Sequence, residues 1–140
     1  MIRGILLSVC LFGASSGAQA AEVSRQDAQA IHAVITEQLD AFTRDDAPHA
    51  FSLASPQIRA QFATPAAFIA MVRAAYPVVY RRKTVQFENP VIIEGEIIQP
   101  VKMTDAEGRM WLALYPMQRE TTGGWRINGC QLARAPGVEA

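Results

Sequence analysis

Cysteine, histidine and net charge are all scarce in this chain. Its 140 residues include two cysteines and two histidines, and 13 basic side chains balance 13 acidic ones. Nucleic-acid binding rests on Lys and Arg neutralising phosphates, and anionic membranes attract clustered basic segments. A balanced chain without a large basic cluster predicts neither partner. The histidines, His32 and His49, lie far from Cys130 and show no ligand spacing, so no metal site is predicted. There is no G-x-S-x-G context around Ser52 or Ser55 and no glycine-rich phosphate loop, which leaves nucleophilic hydrolysis and nucleotide binding without a motif. No cofactor is implied. Repeats and low-complexity runs are absent as well.

What is present begins at the N-terminus. Met1-Ile2-Arg3 gives a positive start, GILLSVCLFGA an apolar run, and SSGAQA a small polar stretch ending in Ala18-Gln19-Ala20. This is the pattern of a secretory signal peptide with an Ala-x-Ala cleavage site. The run is too short for a membrane span, which needs about 20 apolar residues. Leu7-Ser8-Val9 lacks the small residue expected just before a lipid-modified Cys10. The expectation is cleavage between Ala20 and Ala21, periplasmic or secreted localisation, no stable membrane anchor, and a single domain over 21–140. Loss of Arg3 leaves 12 basic against 13 acidic residues, a net of −1. A chain of this length buries roughly 65% of its surface and needs no staple. With Cys10 removed, Cys130 has no internal partner and reads as a buried strand residue.

The first half of the mature chain reads as helix. Ser24 and Asp27 resemble a capping box, and Ile31, Val34, Ile35, Leu39 and Phe42 follow at helical spacing, predicting a helix over Ser24–Arg44. Asp46 with Pro48, Ser55 with Pro56, and Thr64 with Pro65 each pair a capping side chain with an early proline. Phe68, Ile69, Val72 and Tyr76 form a further apolar face, and Pro77 ends that helix. The second half reads as strand. Val85 and Phe87 alternate with polar residues, Asn89-Pro90 interrupts, Val91–Ile93 turns at Gly95, and Val101 and Met103 lead to a hairpin at Asp105–Gly108. Strands over Arg109–Met117 and Trp125–Leu132 follow, with a bulge at Gly129 needed to keep Trp125, Ile127, Cys130 and Leu132 on one face. The fold class is α+β: N-terminal helices packed on a bent antiparallel sheet of four to five strands, cone-shaped with one open end.

The stretches AFTRDDAPHAFSLASPQIRAQF, FIAMVRAAYPVVYR, DAEGRMWLALY and GGWRINGCQL resemble, in order, the small exported bacterial family known as domain of unknown function 4864, across about Gln26–Leu132. The resemblance implies a cone fold similar to the nuclear-transport-factor-2-like, SnoaL-like superfamily. It brings no activity, since that superfamily holds isomerases, dehydratases and pure binding domains.

Several residues could carry function. His49 lies four after Asp45, so the pair could form an acid/base dyad; the alternative is that Asp46 caps a helix and His49 is solvated. His32 reads as a partly buried structural residue. The block Arg73–Lys83 places Tyr76 and Tyr80 around Pro77 among basic side chains. With Arg59 and Trp111, its residues Arg73, Tyr76 and Tyr80 are candidate ligand contacts; the alternative is surface packing and local ion pairs. The leading functional expectation is a non-enzymatic domain binding a small ligand or an envelope protein. The rival is a SnoaL-like enzyme of isomerase, dehydratase or hydrolase type using Asp45, His49 or Tyr76 inside the cone. Finally, Met110–Met117 is apolar on both faces. Met110, Leu112 and Leu114 lie on one and Trp111, Ala113, Tyr115 and Met117 on the other. Only one face can meet the helices, which predicts a homodimer through the sheet, with the face carrying Trp111 and Tyr115 as its expected seam; the alternative is that the sheet bends to bury both faces within one chain, or that the second face lines the pocket.

Overall fold

The computed structural model describes residues 22–135. The signal-like segment and its cleavage point lie outside the described residues.

Helix α1 (Arg25–Thr43) starts where Ser24 accepts a hydrogen bond from the Asp27 amide at 3.0 Å, satisfying one of the free first-turn donors. Ile31, Ile35, Leu39 and Phe42 are all buried along one stripe. The same cap-and-proline device opens α2 (Ala47–Ser52), α3 (Pro56–Arg59) and α4 (Pro65–Ala75), with Asp46, Ser55 and Thr64 as caps. Pro77 does end α4, but it also starts a single turn, α5 (Pro77–Tyr80), absent from the expected elements. Tyr76 takes a non-helical conformation (φ −130, ψ 57), and a proline just after such a break is preorganised for a new first turn.

The sheet is built on two long strands, β3 (Glu96–Thr104) and β4 (Met110–Arg119), paired antiparallel. Each outer edge carries two short strands. β1 (Thr84–Phe87) and β2 (Val91–Ile93) both pair with β3, and β5 (Trp125–Ile127) and β6 (Gln131–Arg134) both pair with β4. The strand expected over Trp125–Leu132 is therefore two, and the sheet has six strands rather than four or five. Each edge breaks by one inserted residue. Phe87 to Val91 spans four positions where their partners Val101 and Ile98 span three. Ile127 to Gln131 likewise spans four against three between Met117 and Leu114. Insertions of this kind bend a strand and raise its twist, so the sheet curls into a half-barrel around the helices.

Along β3 and β4 the pleat decides the core. Gln99, Val101 and Met103 face inward beside Ala113, Tyr115 and Met117, all buried. Trp111 lies half-buried on that same inner side. The Trp111–Met117 face is thus turned to the helices, against the expectation that it was the solvent face. The outer face carries Leu112 and Leu114, half-buried, and Met110, 43% exposed. A backbone stitch closes the cone: the Ser55 amide donates to the Ile127 carbonyl at 2.8 Å and the Ile127 amide to Leu53 at 3.0 Å. No helix among the described residues is long and apolar enough to cross a membrane.

Candidate functional site

Between the helices and the curled sheet lies a cavity of about 410 Å³. Its buried wall is aromatic and aliphatic: Phe42 from α1, Phe68 and Val72 from α4, Val79 from α5, and Ile127 from β5. Half-buried Ile58, Phe62, Met71 and Tyr76 line it nearer to solvent, with Gln61 exposed. Phe68 organises much of this wall, with its ring centroid 5.4 Å from Phe62, 5.5 Å from Phe51 and 6.0 Å from Phe42, separations typical of attractive aromatic pairs. The bulge between β5 and β6 contributes Gly129 and Cys130. Gly129 has φ +135, a conformation that side-chain-bearing residues rarely adopt.

Among the described residues the lining contains no carboxylate, imidazole, amine or guanidinium. Its polar groups are Gln38, Gln61, the two tyrosines Tyr76 and Tyr115, and the Cys130 thiol. Gln38 is buried, and its Nε2 donates to the Ala50 carbonyl at 3.1 Å. Tyr115 is buried and its hydroxyl has no hydrogen-bond partner. The Cys130 thiol lies beside it as a weak hydrogen-bonding neighbour, which raises the pKa of the hydroxyl and lowers that of the thiol. Burial holds the Tyr115 hydroxyl well above its ordinary pKa, and burial pushes the Cys130 thiol up to about 12, partly offset by Tyr115. Cys130 keeps an accessible edge, but the surrounding protein disfavours its thiolate. At neutral pH it is a thiol, a poor nucleophile.

Of the residues singled out from sequence, Tyr76 alone lines this cavity. Asp45 and His49 do not form a dyad. Asp46 caps α2 through the His49 amide at 3.2 Å, and His49 Nε2 sits 2.7 Å from Glu37 Oε1. Asp45 turns the chain at φ +55 and binds the other end of the basic block. It accepts a hydrogen bond from the Tyr80 hydroxyl and another from Arg81 Nη2 at 3.0 Å. The Tyr80 hydrogen bond, helped by Arg81 and Arg73 and opposed by burial, holds the Asp45 carboxyl below its usual range. Arg73 lies over the Tyr80 ring at 5.5 Å and Arg81 at 3.9 Å. Arg81 also donates to the Phe42 carbonyl, and Arg82 to the Leu39 carbonyl at 3.0 Å and to Asp40 at 2.8 Å. The Phe42 and Leu39 carbonyls lie in the last turn of α1 and also accept from the Asp45 amide and the Thr43 hydroxyl, each at 3.1 Å; the negative end of the helix attracts cations. The cluster Asp45–Arg73–Tyr80–Arg81 is therefore a clasp on α1, outside the cavity. Arg59 is half-buried with its Nε enclosed and unpartnered, and it does not line the cavity. Trp111 lines a second depression of about 440 Å³ with Arg81, Asp105 and Arg109, and its indole N–H donates to Asp105 at 3.0 Å. His32 stacks on Phe87 at 4.4 Å, in the structural role expected. Among the described residues no group of three His, Cys, Asp or Glu side chains is placed to hold a metal.

Sequence reasoning missed Gln38, Tyr115 and Cys130 as cavity residues. Gln38 follows the polar residues Thr36 and Glu37, and only the packing of α2 onto α1 turns it inward. Tyr115 was legible as one side of a doubly apolar strand, but not as the side with an unpartnered hydroxyl.

Residues 24–140 match the model of the family described as Domain of unknown function (DUF4864). No curated protein and no solved structure matches the chain.

Proposed function

We propose that this chain, which belongs to the DUF4864 family, is an exported, non-enzymatic domain that holds a small uncharged molecule in a cone of the SnoaL-like type. One observation carries the reading: among the described residues the cavity is lined by apolar side chains and uncharged polar groups, without a carboxylate or imidazole. General acid–base chemistry needs a group able to exchange protons near working pH and within reach of substrate. Of the three residues named for that role, Asp45 and His49 are tied up elsewhere on the surface, and Tyr76 alone lines the cavity. A space of this size, mostly apolar with a few polar groups, is the usual form of a small-molecule site.

Support for export comes from the positive, apolar and Ala-x-Ala segments at the start of the chain. Protein recovered from its native envelope fraction is expected to begin at Ala21, whereas an intact Met1 form in the cytosol contradicts export.

The cavity reading is tested with N-phenyl-1-naphthylamine, a neutral probe whose fluorescence rises in apolar surroundings. The mature protein should bind it saturably and melt at higher temperature in its presence, because a ligand that binds only the folded state stabilises that state. Absence of both effects rejects the reading. Turnover of any compound by the pure protein rejects its non-enzymatic part.

A further inference from the structure

We infer that the cavity selects a neutral two-ring molecule bearing a hydroxyl group, an aromatic or alicyclic alcohol, over the matching hydrocarbon and over any anion; this rests on the ligand-binding reading above. Two buried polar side chains of the lining have hydrogen-bonding capacity left over. The orientation of the Gln38 amide is fixed, since only its nitrogen can donate to the Ala50 carbonyl. Its Oε1 is therefore the free end and takes no hydrogen bond from the described residues. The Tyr115 hydroxyl is the second group; among the described residues the polar group beside it is the Cys130 thiol, a weak hydrogen-bonding group that leaves it without a well-formed hydrogen bond. Buried polar groups are nearly always hydrogen-bonded; the fully enclosed Tyr115 hydroxyl is the exception that calls for a partner, while Gln38 Oε1 is a free acceptor that is not fully enclosed. A hydroxyl both donates and accepts, so it suits an acceptor such as Gln38 Oε1 and a donor such as Tyr115 alike. A carboxylate or sulfonate brings a charge into a lining that has no cation to meet it, and burying an unpaired charge is costly. Size sets the remainder. An apolar cavity of about 150 Å³ accommodates a benzene ring, so about 410 Å³ takes two rings with a substituent.

The experiment compares three probes on the mature protein at pH 7: 2-naphthol, naphthalene and naphthalene-2-sulfonate. The expected order is 2-naphthol bound about fivefold or more tightly than naphthalene, the worth of a satisfied hydrogen bond, with no measurable binding of the sulfonate. Tyr115→Phe keeps the ring and removes the unpartnered hydroxyl, so it should fold with an equal or higher melting temperature while the naphthol preference shrinks. Gln38→Met should shrink it too; if that variant fails to fold, Tyr115→Phe and the wild-type probe series still decide. Equal binding of naphthol and naphthalene, an unchanged preference in Tyr115→Phe, or tight sulfonate binding overturns this inference and leaves the cavity as a ligand site. Failure of all three probes to bind overturns the ligand-binding reading itself.

Discussion

Asp105 shows how one side chain can set a local structure. Its carboxylate accepts from the amides of Glu107 and Arg109, at 3.0 and 2.9 Å, from the Arg109 guanidinium at 2.8 Å and from the Trp111 indole at 3.0 Å. The Trp111 hydrogen bond, helped by those from Arg109 and opposed by burial, lowers its pKa from 3.8 to about 2. A carboxyl whose folded pKa lies below its unfolded one contributes stability that is fully present above the unfolded value and is lost as pH falls through the folded value. The contribution should therefore be intact above about pH 4 and decline towards pH 2. Asp105→Asn should melt lower at pH 7 and show a shallower loss of stability across that window. Superimposable pH profiles for variant and wild type would remove Asp105 from this role. The sequence marked 105–108 as a hairpin turn from Gly108. It did not mark Trp111 as part of it, because the indole reaches Asp105 only through the pleat of β4.

At the scale of elements, the helix starts were legible and the sheet edges only partly so. Caps at Ser24, Asp46, Ser55 and Thr64 are local chemistry: a short side chain meets an amide three residues on, and at the last three a proline follows. Edge breaks depend on what lies across the sheet. The alternation rule alone demanded a bulge near Gly129, and one inserted residue does lie between Ile127 and Gln131. It could not show that the break divides the strand, that Gly129 would sit against Pro116, or that the bulge forms a cavity wall. The basic block Arg73–Lys83 misled for the same reason. Its guanidinium groups serve the end of α1, some forty residues away along the chain, and spacing within the block carries no trace of that contact. Gly129→Ala tests the bulge. Its Cβ would meet Pro116 at 3.5 Å, an ordinary contact, so the cost is one of backbone conformation, about 1–3 kcal/mol. A melting temperature equal to wild type would show that the segment relaxes freely.

For the whole molecule, the helices cover one side of the half-barrel and leave the other. The inner side holds Trp111, Ala113, Tyr115 and Met117, and the outer side presents Met110, Leu112 and Leu114, continued on β2 by Val91 and Ile93, which are 43% and 55% exposed. Contiguous apolar surface of this kind commonly marks an interaction site, and two-fold pairing would cover it in both copies at once. We place the proposed homodimer on this outer face. Sedimentation at micromolar concentration should give a dimer for the wild type and a monomer for Leu114→Lys. A monomeric wild type would return the face to solvent. The α+β class, the helix-then-sheet order and the open cone were readable from periodicity, since each helix and strand shows one apolar side that demands the others. The content of the cone was not readable, because it depends on which side chains of six separate elements converge.

The central claim, that this convergence makes a ligand site, is tested most directly by blocking the cavity. Met71 lines it and is half-buried, so Met71→Trp fills the space from the side nearer solvent while leaving the buried core in place. N-phenyl-1-naphthylamine should titrate saturably into the wild type, with an accompanying rise in melting temperature. Met71→Trp should keep a cooperative melt but lose both responses. Undiminished probe binding to a folded Met71→Trp variant would place the ligand somewhere other than the cone and contradict the account.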